Sequence, residues 1–384
     1  MIEPSGPRTC VHHDTGVCRS CSGWAQPYAD QLHAKDRSCR DLLARFPNLQ
    51  WDAPTASEPV HFRNKAKLAV GGTSAAPTLG VLGADLQGID LPHCRLYVAA
   101  IEAALPAIRG FISEASLSPY DARARVGELK YVLLTASPDG RLMVRWVLRS
   151  REAEGRLRKH LPSLLASLPD LDVVSINLQP QPAAIVEGDE EVLLHGSTLR
   201  MRMPGADLHL RPGGFFQTNS DVAAELYTTA ATWSAALGIE RVIDLYCGIG
   251  GFALHLAGQG RSVSGYEIHP AAVDAARRSA ADLEGPAPEF HCVDATTLPA
   301  SVLGADLMVV NPPRRGLGVR LCAQLADAAP PWLLYSSCNP QTLLADLERL
   351  HDYQPARARL FDLFPHTPHA EVLVLSRRAP DPAH

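Results

Sequence analysis

The sequence predicts an α/β protein whose C-terminal part, residues 219–384, is a doubly wound, Rossmann-like parallel sheet, joined to an upstream α+β part that is mainly antiparallel. Three observations carry that prediction. From residue 219 onward short apolar runs alternate with helical patterns, a glycine-rich turn "CGIGG" follows the first of those runs, and the last two runs have only "PHTPHA" between them. Alternating short strands and helices build a parallel sheet with helices on both faces. A connection as short as the last one joins only antiparallel neighbours, so the sheet should end in a hairpin.

Taken in order, the upstream runs "KLAVGG", "TLGVLG", "YVLLTAS", "RLMVRWVLRS", "VVSINLQP", "AAIVEGD" and "EVLLHG" read as strands, with helical patterns near 98–114 and 152–167. Downstream, "SDVAAELYTTAATWSAALG" is helical. It is followed by the strand–helix pairs "RVIDLYC"/"GGFALHLAG", "SVSGYEI"/"PAAVDAARRSAADL", "EFHCVDA", "DLMVVNPP"/"RLCAQLADAA" and "WLLYSSC"/"PQTLLADLERL", and then by "ARARLFDLF" and "EVLVLSR". The expected division is an N-terminal region 1–97, a central α+β region 98–218 that forms one unit with it, and the sheet domain 219–384. The tail "RRAPDPAH" should fray.

At 384 residues the chain exceeds one ordinary core, and 46% hydrophobic with 20% charged residues is the composition of a soluble globular protein. It has no run of 18 apolar residues, and "MIEPSGPRTCVHH" lacks the basic region and apolar block of a secretion signal. A cytoplasmic protein with no membrane partner is expected. In that reducing compartment nine cysteines are free, metal-bound or catalytic rather than a disulfide framework.

The net charge of −5 speaks against nucleic acid, but the acidity is local: residues 1–218 hold 24 Lys and Arg against 23 Asp and Glu, while 219–384 hold 12 against 18. Basic residues cluster at Arg63, Lys65 and Lys67 and at Arg123, Arg125, Lys130, Arg141, Arg145 and Arg149. Local clusters are what a phosphate backbone responds to, because salt screens interactions beyond roughly 8 Å. Charge alone is equally compatible with an ordinary solvated face.

"VIDLYCGIGGFALHLA" puts Asp244 at the end of a buried strand and Gly248, Gly250 and Gly251 in a turn that opens a helix. Glycines there let backbone approach a ligand. About twenty residues on, "GYEI" offers Glu267 at the next strand tip, where a carboxylate can take both hydroxyls of a ribose. The spacing is not the one that receives a pyrophosphate, and Asp244 would repel phosphate while suiting an ammonium or sulfonium group. S-adenosylmethionine, with an amino group, a ribose and no phosphate, fits both carboxylates. Asp294 in "HCVDA" and Asn311 in "VVNPPRRG" fall at the following tips, so Tyr246, Glu267, Asp294, Asn311 and Cys338 should share one crevice at the carboxyl ends of the strands. The alternative is a plain α/β core with glycine turns.

In "LLYSSCNPQT" Cys338 stands where an apolar strand runs out, either as a small packing residue or as a nucleophile facing the methyl donor. The second reading has a chemical reason. C5 of a pyrimidine is too poor a nucleophile to take a methyl group, and attack of a thiolate at C6 makes it enolate-like. A base must then remove the C5 proton. Glu371, opening the last strand, and His366 or His369 beside it are the candidates.

"DLYCGIGG", "GYEIHP", "VVNPPRRG", "LYSSCNPQT" and "FPHTPHAEVL", with "FRNKAK", "GELKYVLL" and "GGFFQTN" upstream, together resemble the RNA 5-methyluridine methyltransferase family, in that family's order and over nearly the whole chain. The resemblance implies that Cys338 is the nucleophile and Glu371 the base. It also implies S-adenosylmethionine contacts from Gln217, Tyr246, Glu267 and Asn311. Many members carry aspartate where this chain has Asn311.

Cys10, Cys18 and Cys21 in "CVHHDTGVCRSC", with Cys94 far away in "LPHCRLY", give a chelating C-x-x-C bite and two isolated thiols. Structural zinc more often shows two pairs, so an iron–sulfur cluster fits better, and the resemblance implies a [4Fe-4S] cluster on these four residues. His12 and His13 are weaker ligand candidates. Cys39 reads as a helix-face residue, and Cys247, Cys292 and Cys322 as packing or turn residues.

Many relatives place an RNA-binding β-barrel ahead of the cluster; here nine residues precede Cys10, which is expected to leave no room for one. With Asn311 and the cluster spacing, this is similar to the subgroup that methylates one uridine of 23S ribosomal RNA, numbered 747. The resemblance thus implies 23S rRNA as partner, held by the N-terminal basic clusters, and a monomer with no obligate protein partner. The rivals are a methyltransferase for another rRNA or tRNA uridine or for another base position, and a noncatalytic iron–sulfur RNA-binding or chaperone protein.

Overall fold

The computed structural model describes residues 9–83, 88–182, 186–258, 260–299 and 302–379. The first elements in chain order are α1 (Val11–Asp14), α2 (Tyr28–Leu42), β1 (Gln50–Trp51), β2 (Lys65–Gly72), β3 (Pro77–Leu82), β4 (Gly88–Asp90), α3 (Ala99–Glu114), β5 (Leu129–Ala136), β6 (Leu142–Leu148), α4 (Glu154–Ser167), β7 (Leu171–Leu178) and β8 (Glu190–His195). Next come β9 (Leu199–Met201), β10 (Leu208–Leu210), α5 (Ser220–Ala235), β11 (Arg241–Leu245), α6 (Gly251–Leu256), β12 (Ser262–Glu267), α7 (Pro270–Ala281) and β13 (Glu289–Cys292). The last are β14 (Leu307–Val310), α8 (Gly318–Ala328), β15 (Trp332–Ser337), α9 (Pro340–Arg349), β16 (Tyr353–Phe361) and β17 (Glu371–Arg378). No described helix is long and apolar enough to cross a membrane.

Packing divides the chain into two units, Met1–Trp24 with Pro59–Leu199 and Ala25–Glu58 with Arg200–His384. The first holds a seven-stranded sheet in the order β4-β3-β2-β5-β6-β7-β8. It is antiparallel except for β6 and β7, whose parallel pairing needs the crossover that α4 provides. In α3 the apolar residues Ile101, Leu105, Ile108 and Ile112 recur every three to four positions, so one helix face is buried against Leu68, Val132, Leu134 and Trp146 of the sheet. Of the expected strand "AAIVEGD", residues 183–185 lie outside the described residues and Val186–Asp189 are not extended into a strand.

The second unit holds an eight-stranded sheet in the order β1-β16-β17-β15-β14-β11-β12-β13. Strands β11 to β15 are parallel, and β17 runs antiparallel between β15 and β16. The expected hairpin is therefore present, but β1 forms the edge, parallel to β16 through Gln50 opposite Arg357. The three-way division along the sequence is corrected accordingly: residues 25–58 leave the N-terminal region because Cys39 and Leu43 are buried with Leu343, Leu347 and Tyr353. Residues 200–218 also belong to the second unit, where the His209 N–H donates to Ser279 Oγ at 2.8 Å. Arg377 and Arg378, expected to fray, instead end β17; residues 380–384 of the tail lie outside the described residues.

Candidate active site

Strand β11 is central in the sheet and buried from Val242 to Leu245, and its exit is built from left-handed backbone: Tyr246 at φ 61°, Gly248 at 56° and Gly250 at 88°. For tyrosine that conformation costs on the order of 1 kcal/mol or more, and such strain persists only where the surroundings impose it. A Cβ on Gly250 would stand 2.8 Å from the Phe290 ring, so glycine is also required by packing. Glu267 ends β12 over this turn, one carboxylate oxygen accepting from Gly248 N–H at 3.2 Å and the other from His269 N–H at 3.0 Å.

Asp244 lies in the buried end of β11, as expected. It is fully buried, accepts from Ala253 N–H at 3.0 Å, and leaves its other carboxylate oxygen with no hydrogen-bond partner. Burial, reinforced by the charge of Glu267, pushes its carboxyl up to about 8. Through Ala253 N–H it supports the backbone at the start of α6.

The other predicted residues occupy the strand ends. Asp294 follows β13 half-buried, accepting from Thr296 N–H at 2.9 Å and Thr296 Oγ–H at 2.8 Å, bonds that hold its carboxyl below the usual range. Its charge also acts on the Tyr246 phenol, which burial pushes upward. Asn311, half-buried, directly follows β14, which pairs with both β11 and β15. Gln217 is buried two residues ahead of Asn219, whose side chain caps α5 by accepting from Val222 N–H at 3.2 Å. Tyr227 of α5 packs 5.1 Å from the Phe252 ring, and burial, then the charges of Asp244 and Glu371, raise its phenol.

Cys338 stands half-buried just past β15, next to the end of β14. Glu371 opens the neighbouring β17, 2% exposed, and Ser336 Oγ–H donates to its Oε1. Burial pushes the Glu371 carboxyl up to about 7 against that bond. The Cys338 thiol is raised by burial and by the Glu371 charge, while Arg314 lowers it. A cavity of about 140 Å³ opens here, lined by Cys338, Lys35, Arg314, Asn339, Pro368 and His369. Of the alternative bases, His366 is fully buried against Gln31, with Nδ1 3.2 Å from Gln31 Nε2, and exposed His369 meets Arg314 at 3.1 Å.

Three residues of this site escaped sequence reading. Ser336 and Arg314 lie inside quoted motifs but had no assigned role. Lys35 comes from α2, distant in sequence, and its Nζ donates to Asp362 Oδ1 at 2.7 Å and to Phe364 O at 3.0 Å, bracing the loop that delivers Glu371.

In the first unit Cys10, Cys18, Cys21 and Cys94 line one cavity with His12 and Trp24. Burial pushes the Cys21 thiol up to about 12, and its neighbours Cys94, Cys18 and Cys10 add to the shift. Four cysteines with no carboxylate lining the same cavity are the donor set of a soft cationic centre. His12 Nε2 is buried there without a hydrogen-bond partner. Among the described residues no three His, Cys, Asp or Glu side chains are grouped closely enough to hold a single metal ion.

The expected basic footprint shrinks. Arg141 pairs with Asp170 and Asp172, Arg145 with Glu187 and Glu191, and Arg149 with Glu128, while Lys130 is buried. Arg123 and Arg125 are exposed and form no ion pair among the described residues, though the Arg123 charge acts on the Asp121 carboxylate.

A parallel sheet with an antiparallel last strand, a glycine turn beneath a strand-tip carboxylate, and adjoining polar strand ends define the α/β class of S-adenosylmethionine-dependent methyltransferases. A tRNA (uracil-5-)-methyltransferase model matches residues 298–379, and a methyltransferase-domain model matches 242–312. The 23S rRNA (uracil(747)-C(5))-methyltransferase RlmC of Cronobacter sakazakii is 46% identical over 369 residues, 95% of this chain and 98% of that protein. Its counterpart in Salmonella typhimurium is 44% identical over 374 residues, 96% of this chain and 99% of that one. The Pyrococcus abyssi tRNA (uracil-54, C5)-methyltransferase, solved with S-adenosyl-L-homocysteine, superposes with a TM-score of 0.80 at 26% identity, covering 97% of this chain and 86% of that one. The chain belongs to the RNA uracil-C5-methyltransferase family.

Proposed function

We propose that the protein methylates C5 of one uridine of 23S ribosomal RNA, the position numbered 747 in the names of its relatives, using S-adenosylmethionine. The observation that carries this reading is Cys338 beside a buried, Ser336-bound Glu371 on the neighbouring strand, in a chain 46% identical to an enzyme named for that reaction. The target uracil must leave its stack to reach Cys338. The Cys338 thiolate, favoured by Arg314, then adds to C6, and the enolate-like C5 takes the methyl group. Glu371 removes the C5 proton, and the C6–S bond breaks to return the thiolate. A carboxyl with a pKa of about 7 suits a base working near neutrality.

Gln217, Tyr246, Glu267 and Asn311 hold the methyl donor, Glu267 through the ribose hydroxyls. The four cysteines Cys10, Cys18, Cys21 and Cys94 hold a [4Fe-4S] cluster. Their gathering around one cavity supports this. Such a cluster would tie the Cys10–Cys21 segment to the loop bearing Cys94. The protein works as a cytoplasmic monomer.

The test uses a 23S rRNA fragment with 5-fluorouridine at the target, which traps the thiol adduct. Wild type with S-adenosylmethionine is expected to form a covalent complex and Cys338→Ala none; an undiminished complex in the variant overturns the mechanism. Protein purified without air should carry about four iron and four sulfide per chain, and stoichiometric zinc in their place excludes the cluster. A tRNA uridine is the second reading, favoured by the structural match to the tRNA enzyme. Mapping 5-methyluridine in rRNA and tRNA from cells with and without the protein separates the two.

A further inference from the structure

The first unit contains a cavity of about 270 Å³, between β2, β5 and the loop before β5, that the mechanism does not use. It stays open because its floor is backbone: a Cβ on Gly71 would stand 3.1 Å from Gly88 Cα, so β2 and β4 approach without side chains between them. Two aromatic rings line it, Tyr120 half-buried and Tyr131 at 7% exposure. Lys130 fixes the first of these, its Nζ lying 4.6 Å from the Tyr120 ring centroid while donating to Gln179 Oε1 and Gln181 O.

The rim is a short finger, Asp121 to Val126, closed by the bridge between those two residues. Arg125 adopts φ 57° in it, and Gly127 at its base has room for no side chain, since a Cβ would lie 2.0 Å from Pro119 O. Asp121 holds the finger by accepting from the N–H groups of Arg123 and Ala124 at 2.8 and 3.0 Å. Arg123 lines the cavity and Arg125 is exposed beside it. Unlike Arg141, Arg145 and Arg149, neither forms an ion pair with a carboxylate among the described residues. The Asp121 carboxylate also lines the cavity and feels the Arg123 charge. Aromatic walls with two exposed guanidinium groups against that one carboxylate match the chemistry of an unstacked nucleotide, whose base has a π-face and whose phosphate needs a cation.

We propose that this cavity receives a second unpaired nucleotide of the substrate RNA, distinct from the reacting uridine, with its base against Tyr120 and Tyr131 and its phosphate on Arg123 and Arg125. The proposal rests on the RNA substrate assigned above. The test compares wild type, Tyr120→Ala, Tyr120→Phe and Arg123→Glu for affinity to a 23S rRNA fragment spanning the target. It also compares the rate of 5-fluorouridine trapping at saturating RNA. Tyr120→Ala should bind roughly tenfold more weakly, the scale of one lost base–aromatic stack, Arg123→Glu several-fold more weakly, and Tyr120→Phe like wild type, with the saturated trapping rate unchanged throughout. Unchanged affinity in Tyr120→Ala and Arg123→Glu overturns the proposal. Should Tyr120→Ala fail to fold, Arg123→Glu on the exposed finger decides alone. Absence of trapping by wild type sinks the catalytic reading, and the affinity comparison still decides the cavity.

Discussion

Glu371 shows how burial sets chemistry at one residue. Its carboxyl, pushed up to about 7, is neutral in mildly acidic solution and ionised in mildly alkaline solution, so turnover should climb as pH rises through about 7. The Ser336 hydroxyl opposes that upward shift. Ser336→Ala should therefore move the midpoint of the pH–rate profile higher and lower activity at neutral pH, and a profile identical to wild type would remove Ser336 from the site. The same shift has a sign for stability. A carboxyl whose folded pKa is raised stabilises the fold while protonated, and that contribution is lost as pH rises through the folded value. Asp244, at about 8, acts in the same direction. The melting temperature of the ligand-free protein should fall between mildly acidic and mildly alkaline pH, and less so in Asp244→Asn, which keeps an acceptor for Ala253 N–H.

At the scale of elements, the start of α9 positions Cys338, the nucleophile of the proposed reaction. Asn339 caps that helix by accepting from Gln341 N–H at 3.3 Å, and its Nδ2–H donates to Arg314 O at 3.0 Å. One side chain thus fixes the residue after Cys338 and the segment bearing its counter-charge. Asn339→Ala should cost about 0.5–2 kcal/mol of stability and slow adduct formation, read by urea denaturation and by trapping. Strands β11, β14 and β15 were legible because interior parallel strands are covered on both faces and read as apolar runs of the right length. That the glycine turn, Glu267 and Cys338 fall at one end of the sheet was legible because strand ends in such a sheet converge, whereas the choice of Glu371 over His366 and His369 came from the family resemblance. What sequence could not reveal is pairing between distant segments: the attachment of α2 and β1 to the second unit, Lys35 beside the loop of Glu371, and the acidic partners of Arg145 and Arg149. The depth of Asp244 was not legible either, because composition does not tell a half-exposed strand-end carboxylate from a fully buried one.

For the whole molecule, the internal pairing of cations changes what salt and mutation should do. Glu128 is 4% exposed and accepts from Arg149 Nη2–H at 2.7 Å and Ser150 Oγ–H at 2.6 Å. Arg149→Ala leaves a buried carboxylate short of a partner, so it should destabilise the protein by about 1–3 kcal/mol while leaving RNA affinity nearly unchanged. Arg125→Glu should do the reverse, weakening RNA binding and reducing its dependence on salt. Equal loss of RNA affinity in both variants would show that the paired arginines open toward phosphate after all.

The edge position of β1 ties Gln50 to Arg357, so the second sheet can be finished only after nearly all of the chain has been made. At about 5–20 residues per second during synthesis, residues 25–58 wait roughly fifteen seconds to a minute for the strand they join. In that interval the amphipathic α2 and the residue that caps it hold Cys39 and Leu43 without the surface that covers them.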